Sequence, residues 1–238
     1  WGRLAACVHE LDALLYEEIA ARRPVAAERD DILAALIQER GEDGESLTDK
    51  ELRDVLMGML LAGLESTTST LTWALMVVAD RPDVAARVDE EYQTVMAGGF
   101  DPHRVRGLTY LDAVLKETLR LYPIAIAVAR ILRVPFRVGD YDLQPGTVVA
   151  PSVYHVQHDP SLWPDPQRFD PERFLQQAPS PHWLPFGGGY RTCPGMAFSL
   201  YESKILLGEL VGALRLSRLS GTVPGLKLRG VLLGPSRP

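Results

Sequence analysis

Most apolar stretches of this chain repeat at intervals of three and four residues, which predicts a mainly α-helical protein with small β-sheets. Leu4, Cys7, Val8, Leu11, Leu14, Leu15 and Ile19 mark an opening amphipathic helix that ends before Pro24. Ile32, Leu33, Leu36 and Ile37 mark a second, closed by the polar loop Gly41 to Ser46. Thr48-Asp49-Lys50-Glu51 is a capping box, and the apolar pattern behind it runs to about Ala79, where Asp80-Arg81-Pro82 stops it. Pro82 to Met96 forms a further helix, ended by Gly98-Gly99. After a short polar link the pattern resumes from Leu111 to Leu121, and Pro123 closes it.

Beyond Pro123 the period changes. Ile124 to Leu132, Phe136 to Val138, Tyr141 to Leu143 and Val148 to Ala150 read as short strands, with turns at Gly139-Asp140 and Gln144-Pro145-Gly146. From Asp159 to Thr192 there is almost no period. Half of the prolines fall between Pro151 and Pro194, so this stretch is predicted as coil. Its aromatic residues Trp163, Phe169, Phe174, Trp183 and Phe186 carry too much apolar area for disorder, which predicts a packed coil. A helix with Ala197, Leu200, Tyr201, Ile205, Leu207, Leu210, Val211 and Leu214 on one face follows. Arg215 to Leu219 and Leu226 to Leu233 read as a closing strand pair.

Composition narrows the class. The 238 residues are 46% hydrophobic and 24% charged, as in an ordinary globular protein. A net charge of -6 without a run of Lys or Arg argues against nucleic acid as a partner. Two cysteines, Cys7 and Cys193, make no disulfide framework and predict a reducing, cytoplasmic setting. The longest apolar run, Val55 to Leu64, is shorter than the roughly 20 residues of a membrane span, so no membrane segment is expected, and no signal peptide is visible.

Two stretches carry candidate chemistry. In the middle of the longest helix, Glu65 precedes the hydroxyl run Ser66-Thr67-Thr68-Ser69-Thr70; such hydroxyls can bond back to the i−4 carbonyl and open or bend the helix. The second is Phe186-Gly187-Gly188-Gly189-Tyr190-Arg191-Thr192-Cys193-Pro194-Gly195, whose glycines allow turns closed to other residues. A helix starting just after Cys193, with Pro194 in its first turn, would favour the thiolate. A structural thiol fits this exposed turn poorly, and no family signature among the histidines supplies the base that a nucleophile needs. A metal ligand is the third reading; without ligand-spaced Cys or His companions it requires a cofactor that brings its own donors, as haem does.

Phe186 to Gly195 matches Phe-Gly-x-Gly-x-Arg-x-Cys-x-Gly at every fixed position and resembles the ligand loop of the cytochrome P450 family, the haem-thiolate monooxygenases. Three further stretches resemble that family in the same order. Ala62-Gly63-Leu64-Glu65-Ser66-Thr67 is similar to its distal helix motif, with Ser66 where threonine is usual. Lys116 to Pro123 is similar to its Glu-x-x-Arg helix, and Pro171-Glu172-Arg173-Phe174 to the segment whose arginine joins that pair.

The resemblance implies a bacterial-type soluble member of the P450 fold that binds haem b (iron protoporphyrin IX), with Cys193 as axial ligand. Phe186, Gly187 and Gly195 would shape the ligand loop, Arg130 and Arg191 would hold the propionates, and Ala62 and Gly63 would face the haem. Glu65 and Ser66 would deliver protons to dioxygen, Glu117, Arg120 and Arg173 would form a buried triad, and Ile124, Ala125, Ile126 and Val128 would line the substrate pocket. The expected reaction inserts one oxygen atom of dioxygen into a small hydrophobic organic substrate. Electrons would come from separate redox proteins such as ferredoxin and ferredoxin reductase. A haem-binding fragment without turnover, or a relative using peroxide, is the alternative. Residues 1–238 would form one partial domain lacking the N-terminal part of the fold, leaving Leu52, Val55, Leu56 and Met59 uncovered. Expressed alone, such a chain would aggregate or bind haem weakly.

Overall fold

Helix boundaries follow local chemistry closely. Thr48 and Glu51 form the reciprocal cap that the sequence predicts: the Thr48 N–H donates to the Glu51 carboxylate at 2.8 Å, and the Glu51 N–H donates to the Thr48 hydroxyl at 3.3 Å. The structure, a computed structural model, describes residues 2–176, 180–217, 225–229 and 232–236. It divides into two compact units, Trp1–Glu65 and Ser66–Pro238.

The first unit contains α1 (Gly2–Arg22), a 3-10 turn (Arg23–Glu28), α2 (Ile32–Gln38) and the leading part of α3 (Asp49–Asp80). Asp31 caps α2 by accepting the Ala34 N–H at 2.9 Å. Ile19, Ala26, Leu33, Ala34, Ile37 and Leu52 form its core, with Leu56 packed against them. Leu52 and Leu56 are therefore covered, contrary to expectation, because α1 and α2 supply enough apolar surface. Val55, Met59, Leu60, Leu61 and Leu64 are exposed. Of the predicted stripe on α1 only Ile19 is buried; Leu4, Val8 and Leu14 face solvent. Arg53 grips Asp12 with two hydrogen bonds, at 2.7 and 2.5 Å.

The second unit contains the rest of α3, α4 (Pro82–Val95), a 3-10 turn (Pro102–Gly107) and α5 (Thr109–Leu121). After α5 come β1 (Arg130–Ile131), β2 (Phe136–Val138), β3 (Tyr141–Leu143), β4 (Val148–Val149), α6 (Val153–His158), α7 (Met196–Ala213), β5 (Leu226–Arg229) and β6 (Leu232–Pro235). The strands pair antiparallel as β1 with β4, β2 with β3, and β5 with β6, with Arg130 opposite Val149, Phe136 opposite Leu143 and Leu228 opposite Leu233. The predicted strand Ile124 to Leu132 is mostly extended coil, joined by single bridges at Ala125 to Leu232 and Ala127 to Ser152 before β1 begins. The closing pair also differs. β5 pairs with β6 rather than with a strand at 215–219, Arg215 to Ser217 has no regular structure, and Arg218 and Leu219 lie outside the described residues.

The core of this unit lies where α5 meets α4 and α7. Leu111, Val114 and Leu115 pack with Val84, Val88 and Tyr92 and with Leu207 and Val211. Every residue of α5 from Glu117 to Leu121 is buried. The N-terminus of α5 has no cap of its own: Glu91, on α4, accepts the N–H groups of Tyr110 and Leu111 at 2.7 and 2.9 Å. Gly208 lets α7 approach α4, since a Cβ there would meet the buried Tyr92 ring at 2.3 Å. Gly208→Ala should therefore cost about 1–3 kcal/mol through forced displacement of that ring. Chemical denaturation checks this; an unchanged midpoint would show that the α4/α7 contact yields freely.

Candidate functional site

The Cys193 loop is built by two glycines rather than three. Gly187 and Gly189 have φ of +73° and +66°, the left-handed region, whereas Gly188 is extended and its conformation is open to any residue. The Cys193 N–H donates to the Phe186 carbonyl at 2.9 Å and closes the loop at its base. Inside it, Gly189 to Arg191 makes a 3-10 turn, and the Thr192 hydroxyl and N–H both donate to the Gly189 carbonyl. The Cys193 thiol is exposed, as are Tyr190 and Arg191. Gly195 caps α7, which begins at Met196, so Pro194 lies before the helix and not in its first turn.

Aromatic packing carries this loop back to the core. Trp163, Phe174, Trp183 and Phe186 form a succession of ring contacts with centroids 6.1, 6.0 and 5.8 Å apart. The Trp183 indole donates to the Lys116 carbonyl on α5 at 3.1 Å. The predicted packed coil is thus correct in kind. Its described residues contain one short helical turn besides that of the loop, Pro171–Phe174, whose Glu172 pairs with Arg87 on α4.

Beneath the coil is a fully buried ion pair. Arg120 donates to both Glu117 oxygens, at 2.7 and 2.9 Å, and both side chains have 0% exposure. Arg120 also donates to the carbonyls of Gln157 at 2.8 Å and Arg168 at 3.3 Å. Glu117 accepts the Asp170 N–H at 2.9 Å and lies 3.5 Å from the Arg173 Nε, an ion-pair distance without hydrogen-bond geometry. Arg173 spends a better hydrogen bond on the Asp165 carbonyl, at 3.2 Å. Burial pushes the Glu117 carboxyl above its ordinary value, and the Arg120 hydrogen bonds, the Asp170 N–H and Arg173 oppose that shift.

The remaining predicted residues fall in three places. Ile124 is buried in one cluster with Trp73, Leu119, Phe186 and Leu232, so its side chain belongs to the same packed region as the base of the Cys193 loop. Ala125, Ile126 and Val128 follow it half-buried, and Arg130 opens β1 with its guanidinium exposed. Among the described residues neither Arg130 nor Arg191 has a carboxylate partner. Ala62, Gly63 and Glu65 are exposed on α3 in the first unit, and Ser66, half-buried, begins the second. The hydroxyl run does not break the helix: Thr70 and Thr72 donate to the carbonyls of Ser66 and Thr68 at 2.9 and 2.8 Å while α3 stays continuous. Thr67 and Thr70 are buried, so the run is not a solvated stripe.

A haem with a single protein ligand fits these residues. An exposed thiol stands on a glycine turn, two arginines lack carboxylate partners, and no three His, Cys, Asp or Glu side chains among the described residues are placed to hold a metal by themselves. No pattern in the sequence marks Gln157 or Glu91, because their partners do not lie at a recognisable spacing.

The family model "Cytochrome P450" matches residues 1–238. A curated relative from Mycobacterium tuberculosis named "Putative cytochrome P450 135B1" is 41% identical over 240 residues, covering 100% of this chain and 50% of its own length. "Putative cytochrome P450 137" from the same organism is 34% identical, covering 100% of this chain and 48% of its own. A crystal structure described as a cytochrome P450 (CYP102L1) superposes with a TM-score of 0.87 at 26% identity, over 98% of this chain and 55% of that one. The chain thus spans about half the length of the curated relatives it matches.

Proposed function

The chain belongs to the cytochrome P450 family, and from that premise we propose that its protein is a haem-thiolate monooxygenase acting on a small hydrophobic substrate. The observation that carries this reading is the exposed Cys193 thiol on a turn closed by its own N–H and joined through Trp183 to the buried core. When bound, haem b supplies the chemistry that activates dioxygen. Cys193 would bind its iron, Phe186, Gly187 and Gly195 would shape the loop around that sulfur, and the guanidiniums of Arg130 and Arg191 would pair with its carboxylates. Ala62 and Gly63, by their small size, would leave room for oxygen. Ile124, Ala125, Ile126 and Val128 contribute to the substrate wall, and Glu117, Arg120 and Arg173 hold the coil that delivers the ligand.

Monooxygenation consumes dioxygen, electrons and protons and yields oxygenated product and water. The electrons come from a ferredoxin and its reductase, in a cytoplasmic setting; among the described residues no helix is long and apolar enough to cross a membrane. Glu65 and Ser66 pass the protons. Glu65 is exposed and can exchange with solvent, while Ser66 is half-buried one residue further along α3.

Ser66→Ala tests the relay. In the haem-loaded protein, with a surrogate ferredoxin system and a panel of small hydrophobic probes, this variant should divert electrons into hydrogen peroxide and lower product per electron roughly tenfold or more. Unchanged product per electron would remove Ser66 from the proton path.

A further inference from the structure

Gln157 is a buried polar residue that the predicted site leaves out. It sits on α6 with 0% exposure. Its backbone carbonyl accepts from Arg120 at 2.8 Å, and its side-chain Nε2 donates to the His182 carbonyl at 2.8 Å. The amide orientation is fixed, since a carbonyl can only accept and the reversed amide would set oxygen against oxygen. Its other end, Oε1, is buried and has no hydrogen-bond partner among the described residues. A buried amide with one end unsatisfied is a poor stabiliser, so its value must lie in what the satisfied end positions.

That end leads straight to the ligand loop. His182 precedes Trp183, whose ring packs on Phe186, and the Phe186 carbonyl receives the Cys193 N–H. We propose that Gln157 is a positioning residue, tying the segment His182 to Phe186 to the buried Arg120 and so fixing the height of Cys193 for its ligand. The inference rests on the reading of Cys193 as the haem ligand. Its backbone bond to Arg120 survives any side-chain change, which allows the two ends of the link to be tested separately.

Gln157→Met keeps the size of the side chain and removes both the donor and the unsatisfied oxygen. Gln157→Leu removes the same two groups with a side chain of different shape, so an effect shared by both variants comes from the lost amide. In both variants, amide hydrogen exchange of the haem-free protein should become roughly five- to tenfold faster in the segment 182–193, with exchange in α5 unchanged. For Gln157→Met the melting temperature should stay within about 2 °C, since the lost bond is offset by removal of the buried orphan. In the haem-loaded protein, reduced and exposed to carbon monoxide, the share of the thiolate-type band should fall several-fold relative to the neutral-thiol band. Unchanged exchange, exchange raised equally in α5, or an unchanged band ratio would each overturn the proposal. The exchange measurement needs no haem, so failure here is distinguishable from failure of the Cys193 reading.

Discussion

Glu117→Ala is expected to leave little folded, haem-competent protein. The substitution strands the Arg120 guanidinium, which has 0% exposure and would keep the carbonyls of Gln157 and Arg168 and the face of the Trp163 ring but, among the described residues, no counter-charge at hydrogen-bond distance. An uncompensated buried charge costs about 3–5 kcal/mol. Total stability is only about 5–15 kcal/mol, so the loss consumes a large part of it. The same substitution frees the Asp170 N–H and the Arg173 guanidinium, loosening the coil that leads to Cys193. Denaturant unfolding and haem content together measure both effects, and values equal to the parent protein in both would show that the pair is not structural.

Arg120→Met provides a contrast in pH. The remaining Glu117 carboxyl, already raised above its ordinary 4.5 by burial, loses its main opposing cation and moves higher. Its folded form then binds a proton more readily than the unfolded chain does. Stability of Arg120→Met is therefore retained below the unfolded carboxyl range and lost as pH rises through the folded one. Glu117→Ala has no such group and should show no corresponding gain on acidification. Equal pH profiles for the two variants would contradict the assignment of the buried charge.

The parts of this fold that were legible in the sequence are those with local causes. Thr48 and Glu51 announce the start of α3 because both halves of the cap are three residues apart, and Pro82 and Pro123 end helices by removing a donor. The N-terminus of α5 was not legible, because its cap, Glu91, comes from another helix. α6 was missed for a different reason: Val153–His158 is too short to show a period, and its Ser152 cap has no partner spacing to mark it. Glu117 and Arg120 sit at a spacing as common on solvated helix faces as in a core. Only the surrounding motif, and then the burial of Glu117 to Leu121, separates the two. The ten-residue loop was legible as a glycine turn, yet the sequence could not tell Gly188 from Gly187 and Gly189, since φ depends on where the loop closes.

Cys193 is proposed as the thiolate that binds haem iron. A thiolate donates charge strongly to iron, and its loss changes the electronic structure of the whole chromophore, so the expected effect is all-or-none in the spectrum. Cys193→Ser removes that donor with almost no change of shape on an exposed turn held by the Phe186 carbonyl, so the loop should keep its conformation. The measurement is the absorbance spectrum of the haem-loaded protein containing these residues, reduced and exposed to carbon monoxide. The parent protein should show the red-shifted Soret band of thiolate ligation, and Cys193→Ser should lack it while retaining folded structure. A red-shifted band that persists in Cys193→Ser would contradict the assignment.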